Sequence, residues 1–509
     1  MDLWVTGGFI AVVVVAWLAR LALEKRQREA RLRLHAALKQ RECSRLPKEN
    51  DCFVLFAVGT RGDVQPMIAL GLELLKRRFR VCVCTLDQFK EMVETHGLEF
   101  ASCGLSNLAD QEAGWLLAQS EAEFLSIVAS RFLPKLETIG EALYSACKDR
   151  KPLCIITGMY GLHIALDVAE SCRCKIRAVK YMPDAMTADF PPFGRDPPMF
   201  AWMNKWLHWR RVFRMVFAAQ RYGLTKAQNK FRREKLGLPP LNAERLESSG
   251  KYLPTMYAYS PTLSPKPVDW APWHGVFGFF FTPSAPRSAL SSNVERFLAD
   301  SESLPVVVIT FGSMNSLRSA GCDVVVNATR AALSLGMRVI VITGWTELDT
   351  QVLGDRSSNN LLVVQSAPHE LLFPHCSLVI HHGGAGTTAR AVEAGVPSII
   401  IPVLKWYDQR GWAMAVEAFG AAIRVDDPFV SEQKLKELIS RVVSDSETRD
   451  AFKRDADHLA IKVREEKDAV VKAVDFLLSP LSATLEESSV AQFSPLAMER
   501  MINRSCLSS

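Results

Sequence analysis

Three groups of residues in this chain have the types and spacing to bind an anion and to move a proton beside it. The first is His381-His382-Gly383-Gly384-Ala385-Gly386-Thr387-Thr388, set between an apolar run at 376–380 and a helical pattern at 389–394 that Gly395 and Pro397 stop. A strand, a glycine turn and a helix start form an anion site. Glycines let the backbone approach a phosphate, and the first helical N–H groups and the helix dipole point at it. Thr387 and Thr388 add hydroxyl donors and His382 a ring N–H; the bland alternative is a tight turn with satisfied histidines. The second group is Gly59-Thr60-Arg61-Gly62-Asp63, a loop between a strand and a helix. The Asp63 carboxylate is either a general base facing a cleft or a helix cap without chemistry. The third is Asp408-Gln409, just past a strand at 398–401. A carboxylate and an amide there either accept from and donate to several hydroxyls of one sugar, or cap a helix.

The elements that must hold these groups fall into two sets. In the first half, apolar runs at 52–58, 80–85, 153–157 and 176–180 predict strands, with helices near 64–78 and 162–170. This βαβ opening implies a parallel, doubly wound sheet whose site lies at the strand ends. The loop after the first strand lacks GxGxxG, so a dinucleotide fingerprint is not supported. Residues 281–303, rich in Pro and Ser and without periodicity, form an interdomain connection. A second set of strands follows at 306–310, 339–343, 361–364, 378–380 and 398–401, with Gly312-Ser313 in the loop after the first of them. Residues 453–478 predict one long closing helix. Two such units with glycine loops at their strand ends make a cleft between domains. Trp202, Trp206, Trp209, Phe213 and Phe217 recur near helical spacing among Lys205, Arg210, Arg211 and Arg214. Such a face lies in a membrane interface, or packs into a core while its bases snorkel.

A chain of 509 residues exceeds one core and implies two or three domains. The net charge of +6 is small and partly concentrated near the N-terminus, which does not argue for a nucleic-acid partner. The twelve cysteines include no CxxC pair and no Cys/His cluster at zinc spacing, so Cys82, Cys84, Cys172 and Cys174 read as reduced thiols of a cytosol-facing protein. Residues 3–23 carry one charge, Arg20, and have the length of a bilayer-spanning helix. The basic stretch after them places the rest of the chain in the cytosol by the positive-inside rule. A cleaved signal peptide would want basic residues first and a small-x-small site after, and neither is clear. The expected organisation is a transmembrane anchor (1–23), a basic linker (24–49), an N-terminal domain (50–280), an interdomain linker (281–303), a C-terminal domain with its closing helix (304–480) and a mobile tail (481–509). That describes a single-pass membrane protein with its catalytic part in the cytosol.

Several separated motifs recur in a familiar order: Gly59-Thr60-Arg61-Gly62-Asp63-Val64-Gln65-Pro66, Phe311-Gly312-Ser313-Met314, Pro368-His369-Glu370-Leu371-Leu372-Phe373-Pro374, residues 381–388, and Asp408-Gln409. They make the chain similar to the GT-B glycosyltransferases with a family 28 type N-terminal domain. The likeness is greatest to the sterol 3β-glucosyltransferases of plants and fungi and their antibiotic-glycosylating bacterial cousins. Weaker matches at Tyr181-Met182-Pro183, 231–238 and 259–267 bridge the motifs, and the resemblance runs over about 50–475. It implies an α/β chain of two facing Rossmann-like domains, the first for an acceptor and the second for a nucleotide sugar. It implies that His382 meets the α-phosphate, that Gly383, Gly384, Gly386, Thr387 and Thr388 cradle the diphosphate, and that Ser313, beside Gly312, reaches the β-phosphate. It adds His369 to the donor site, gives the sugar to Asp408 and Gln409, makes Asp63 the base, and brings the backbone of Gly59 and Thr60 near the donor phosphates. The chain departs from the plant small-molecule enzymes at Ser366, where they carry a tryptophan that stacks on uracil, and at Arg390, where they carry a glutamate for the ribose; the sterol branch lacks both. Two extra residues precede Asp408, Trp406 among them.

The activity this resemblance implies is transfer of a hexose, glucose in the sterol branch, from a UDP-sugar to the hydroxyl of a sterol or similar lipid, with inversion. The expected partners are the UDP-sugar, the lipid acceptor and a membrane. No strand-borne Asp-x-Asp offers a metal site, and Asp455-Ala456-Asp457 falls on the closing helix. Neither a metal nor a cofactor beyond the donor is therefore expected. Competing readings are transfer to a non-sterol aglycone (a triterpenoid, polyketide or glycolipid), a UDP-sugar epimerase, and a non-catalytic binding scaffold. Asp63 together with Asp408-Gln409 speaks against the last.

Overall fold

Short runs of Val, Ile, Leu and Phe with no polar alternation suit strands covered on both faces, as parallel sheets are. A computed structural model describes residues 46–107, 133–201, 203–221, 223–241, 253–283, 289–299, 304–312, 321–344, 359–404 and 408–479, with scattered helical positions from 123 to 131. In the first lobe the strands are β1 (Cys52–Phe56), β2 (Arg80–Thr85), β3 (Glu99–Ser102), β4 (Cys154–Thr157), β5 (Lys175–Lys180), β6 (Thr255–Tyr257) and β7 (His274–Val276). They form one sheet in the order β3-β2-β1-β4-β5-β6-β7, parallel throughout. The second lobe repeats the plan with β8 (Val306–Thr310), β9 (Arg338–Ile342), β10 (Leu361–Val364), β11 (Leu378–His381), β12 (Ser398–Ile400) and β13 (Ala422–Arg424), again parallel, in the order β10-β9-β8-β11-β12-β13. In each sheet the order reverses beside the first strand, between β1 and β4 and between β8 and β11. A reversal of this kind leaves a crevice at the carboxyl ends of the strands, where ligands of doubly wound sheets bind.

The helices used below are α1 (Arg61–Lys76), α2 (Leu162–Cys172), α3 (Met203–Arg221), α4 (Leu224–Glu234), α5 (Ser292–Ala299), α6 (Gly321–Ser334), α7 (Ala385–Ala394), α8 (Gln409–Ala418), α9 (Ser446–Arg464) and α10 (Ala469–Leu478). Alternate residues of β8 enter opposite layers of the second lobe, Val307 and Ile309 with α6 on one face, Val306 and Val308 with α5 on the other. A third apolar cluster joins the lobes: Met182, Tyr257, Tyr259 and Trp270 of the first pack with Ala389, Ile400, Trp412 and Val416 of the second.

Two expectations need correction. Residues 281–303 are not a featureless connection, because they contain α5, whose Val294 and Phe297 are buried against the second sheet. The Pro and Ser content hid a one-sided apolar pattern too short to stand out, and the Arg338 guanidinium sits 3.9 Å above the Phe297 ring. The long helix at 453–478 is two helices, α9 and α10, broken at 465–468. The break frees Glu466, whose carboxylate accepts from the Ser260 hydroxyl at 2.8 Å, the Thr262 hydroxyl at 2.7 Å and the Thr262 amide at 3.1 Å. The last helix then lies along the first lobe, with Phe476 against Phe277 and Asp475 paired to Arg77 at 2.5 Å.

The expected anchor at 1–23, the basic linker up to residue 45 and the tail at 481–509 lie outside the described residues. Among the described residues no helix is long and apolar enough to cross a membrane. No described cysteine is in a disulfide, Cys82, Cys84, Cys172 and Cys174 included.

Candidate active site

The loop after β1 is built around one carboxylate. Thr60 caps α1, its hydroxyl accepting from the Gly62 amide at 3.2 Å, and Asp63 answers from the third helical position by accepting from the Thr60 amide at 2.8 Å. This is a capping box, so Asp63 does cap the helix. Its Oδ2 alone is engaged, with the Thr60 amide and hydroxyl. Gly59 is glycine for a steric reason: a Cβ there would sit 2.1 Å from Asp63 Oδ2. Tyr181, at the end of β5, donates its hydroxyl to the Asp63 carbonyl at 2.9 Å and fixes the turn from below. Asp63 is half-buried but walled in by both lobes. That burial, augmented by Asp408 of the second lobe and opposed by the two Thr60 bonds, pushes its pKa up to about 7.

The facing wall comes from β8 and β11. β11 ends at His381, and His382, Gly383 and Gly384 lead into α7. Gly383 has φ +87°, and a Cβ on it would lie 2.8 Å from the Gln409 carbonyl. Gly384 is the N-cap and brings no side chain to the first amides of α7. The two helix starts thus differ: α1 satisfies its own amides through Thr60 and Asp63, whereas the α7 end has no side-chain cap and suits a foreign anion. His382 lies flat over two glycines. A Cβ at Gly384 would fall 2.4 Å from His382 Nε2, and one at Gly312 (φ +69°) 3.0 Å from Cε1. The ring is buried, its Nδ1 has no hydrogen-bond partner, and neither has the buried hydroxyl of Thr388 one turn into α7. Orphaned polar atoms beside a bare helix start are the arrangement a bound oxyanion would complete. Burial, and then neighbouring His369, push the His382 pKa down to about 4. The ring is therefore neutral at pH 7 and carries a single N–H, on which the Thr310 backbone, opposing the shift, also draws. Gly386 opens onto free space, a Cβ there meeting nothing within 4 Å, and Thr387 is buried beside it.

His369 stacks on Phe373 with centroids 4.5 Å apart, and its pKa is pushed down to about 4 by burial, with Glu370 opposing and the charges of Arg390 and Arg61 adding to the shift. Arg61 belongs to the first lobe, so its charge is felt across the crevice. Asp408 occupies the N-cap position of α8 without a capping hydrogen bond from its side chain. Burial pushes its pKa up to about 6, against the amides of Asp408, Ala385 and Gln409 and the Trp412 indole. That indole N–H makes no hydrogen bond, so its help is electrostatic only. Gln409 is buried, and its carbonyl oxygen accepts from the Val403 and Leu404 amides at 2.9 Å each. Its oxygen therefore shapes the loop, and only the NH2 end is left to donate to a ligand. Ser313 and Trp406 lie outside the described residues.

Several residues at the site carried no role in the sequence. Tyr181 stood in a weak motif that gave no hint of its bond to Asp63. Thr282 donates to the Gln65 carbonyl of α1 at 2.6 Å, while its own carbonyl accepts from Arg390 of α7 at 3.1 Å. Arg390 also pairs with Glu393 at 2.7 Å and lies 4.2 Å from the Phe281 ring centroid. It therefore serves a strap between the lobes. On the far side Arg410 donates to the Gly194 carbonyl at 2.7 Å and pairs with Asp196 at 2.9 Å, and Phe193 packs edge-on to Trp412, centroids 4.7 Å apart. Among the described residues no group of three or more His, Cys, Asp or Glu is placed to hold a metal ion.

Comparison with known proteins places both lobes. Residues 53–185 match the glycosyltransferase family 28 N-terminal domain, and residues 328–471 match the C-terminal domain of erythromycin biosynthesis protein CIII-like proteins. A sterol 3-beta-glucosyltransferase of Arabidopsis thaliana is 30% identical over 454 residues, 86% of this chain and 66% of that protein. One from Saccharomyces cerevisiae (strain YJM789) is 27% identical over 454 residues, 86% of this chain and 35% of that protein. The chain thus spans less than two thirds of the length of these curated relatives. Among solved structures, the glycosyltransferase VinC in complex with dTDP superposes with a TM-score of 0.58 at 17% identity, covering 84% of this chain and 99% of that one. The glycotransferase of kitacinnamycin does so at 0.59 and 16%, over 85% and 99%.

Proposed function

The chain belongs to the GT-B glycosyltransferases, and on that premise we propose that it is an inverting, UDP-dependent hexosyltransferase that glycosylates the hydroxyl of a sterol or similar membrane lipid, glucose being the sugar its curated relatives are named for. The observation that carries the reading is the opposition of two unlike walls at the strand-order reversals. One holds a carboxylate with a pKa of about 7 and an unengaged oxygen, the other an uncapped helix start beside a neutral histidine with an orphaned nitrogen.

In the reaction the acceptor hydroxyl gives its proton to Asp63 while its oxygen bonds to the anomeric carbon. The bond from that carbon to the diphosphate oxygen breaks on the opposite face, and UDP leaves with the electron pair. A base whose pKa lies near the working pH combines a useful ionised fraction with enough basicity, worth about 10²–10⁴ in rate. Negative charge grows on the departing diphosphate, where the α7 amides and the His382 N–H stabilise it without adding a cation that would hold the product. Asp408 and the Gln409 NH2 take opposite roles toward sugar hydroxyls, one accepting and one donating.

The test is mass spectrometry of membrane lipids incubated with the full chain and a panel of UDP-sugars. A hexose-bearing sterol with one UDP released per adduct supports the reading, and a hexose on another lipid keeps the transfer but replaces the acceptor. An altered UDP-sugar with no lipid adduct would mean an epimerase and would end the proposal.

A further inference from the structure

The face that the sequence left open, on α3 and the turn before it, has two sides that the structure separates. Asn204 and His208 are buried, and hold the Ala188 carbonyl at 2.9 Å and the Phe190 carbonyl at 3.1 Å. Opposite them Trp206 is 45% exposed and Trp209 52%, and just before the helix Met199 is 88% and Phe200 49% exposed. That exposure is more than a core-packing role leaves to Trp206 and Trp209, while the side chains of Trp202, Phe213 and Phe217 lie outside the described residues. Lys205, Arg210 and Arg214 are exposed on the same helix, the Arg210 guanidinium lies 5.4 Å from the Trp206 ring centroid, and no acidic residue occurs from 199 to 221. Lys205 stands 4.0 Å from Asp269 in a solvent-reached pair, which salt and water leave weak.

We propose that this surface docks the first lobe onto a lipid bilayer carrying anionic headgroups, with Met199, Phe200, Trp206 and Trp209 seated at the headgroup boundary and Lys205, Arg210 and Arg214 pairing with the headgroups. Amphipathic rings settle at that depth, and basic side chains lay their stems along it. A second copy of the chain fits poorly, since a two-fold contact would set this cationic patch against itself. The location gives the contact a purpose. The loop held by Asn204 and His208 continues to Phe193, which packs on Trp412 in α8, the helix that Asp408 opens. A bilayer held here would lie beside the crevice mouth. That purpose rests on the proposed lipid acceptor, while the surface stands on its own side chains.

Hydroxyl-radical footprinting of the full chain tests it, with no vesicles, with phosphatidylcholine vesicles, and with vesicles also containing phosphatidylserine. Oxidation of Met199, Trp206 and Trp209 is expected to fall severalfold on the anionic vesicles only. Removing Arg210 or Arg214 (Arg210→Gln, Arg214→Gln) is expected to weaken that partitioning about fivefold per charge. These exposed residues lie outside the site, so both variants should keep wild-type turnover of a detergent-dispersed acceptor, which also checks their folding. Unchanged labelling on anionic vesicles overturns the proposal. So does protection that needs no vesicle and grows with protein concentration, which would mean self-association. Transfer without protection removes the docking surface and leaves the function standing; protection without transfer does the reverse.

Discussion

Replacing Asp63 with Asn should make the empty protein more stable and the enzyme nearly inert, and the gain in stability should depend on pH. The carboxyl moves from 3.8 in an unfolded chain to about 7 in the fold. The folded state therefore holds the proton more tightly than the unfolded state does. Its contribution to stability is full below pH 3.8, and is lost as pH rises through the folded value. At about 1.4 kcal/mol per pKa unit the whole shift is worth roughly 4 kcal/mol, and about half that once discounted for the solvent that reaches a half-buried group. Asn cannot ionise, and its side-chain oxygen can still accept from the Thr60 amide, so the capping box survives. The variant should gain stability over wild type by on the order of 2 kcal/mol between pH 5 and pH 8, and little beyond. Its glycosyl transfer should fall by about 10²–10⁴, with the rising limb near pH 7 lost from kcat/KM. Melting both proteins without donor at the two pH values reads the first effect, and a pH–rate series reads the second. A pH-independent difference in melting, or a variant that is weaker at pH 8, would refute the assignment of burial as the cause of the raised pKa. Turnover that survives the substitution would refute Asp63 as the base.

Gly384→Ala forces a methyl to 2.4 Å from His382 Nε2, so donor affinity measured by calorimetry should drop while the fold persists; unchanged affinity would remove the cradle. His382→Ala should cost about a hundredfold or more in kcat, and because that ring is neutral at pH 7 the wild-type profile should show no falling limb from it between pH 5 and 8. Thr282→Val deletes the bond to Gln65 and should lower unfolding stability by about 1 kcal/mol, with a larger relative loss in kcat than in acceptor KM if the strap positions the base. EDTA should leave transfer intact; abolition by chelation and recovery with magnesium would bring a metal into the mechanism.

The glycine turn at 383–386 and the Asp63 loop were legible because their chemistry is local: a strand, a turn and a helix start fall within one dozen residues, and the apolar periods on either side fix what each piece is. The parallel, doubly wound character of both sheets followed from the same short-range rule, while their strand order and the short strands β3, β6, β7 and β13 did not. What stayed hidden depends on partners far along the chain. Arg390 looked like a missing ribose ligand until the Thr282 carbonyl and the Phe281 ring claimed it. Gln409 looked like a sugar ligand at both ends of its amide until two loop amides took its oxygen. The helix α5 was masked by its Pro and Ser neighbours, and the break before α10 exists because Glu466 finds Ser260 and Thr262 in the other lobe.

The stretch at 281–282 carries one implication for how the molecule would respond to its substrates. It grips the carbonyl of Gln65, two positions beyond the proposed base, and the guanidinium of Arg390 on the helix that begins the phosphate cradle. A tug on either helix is handed to the other through a single residue, the hydroxyl and carbonyl of Thr282. Filling the cradle should therefore shift the base, and settling an alcohol at the base should by the same link tighten the cradle.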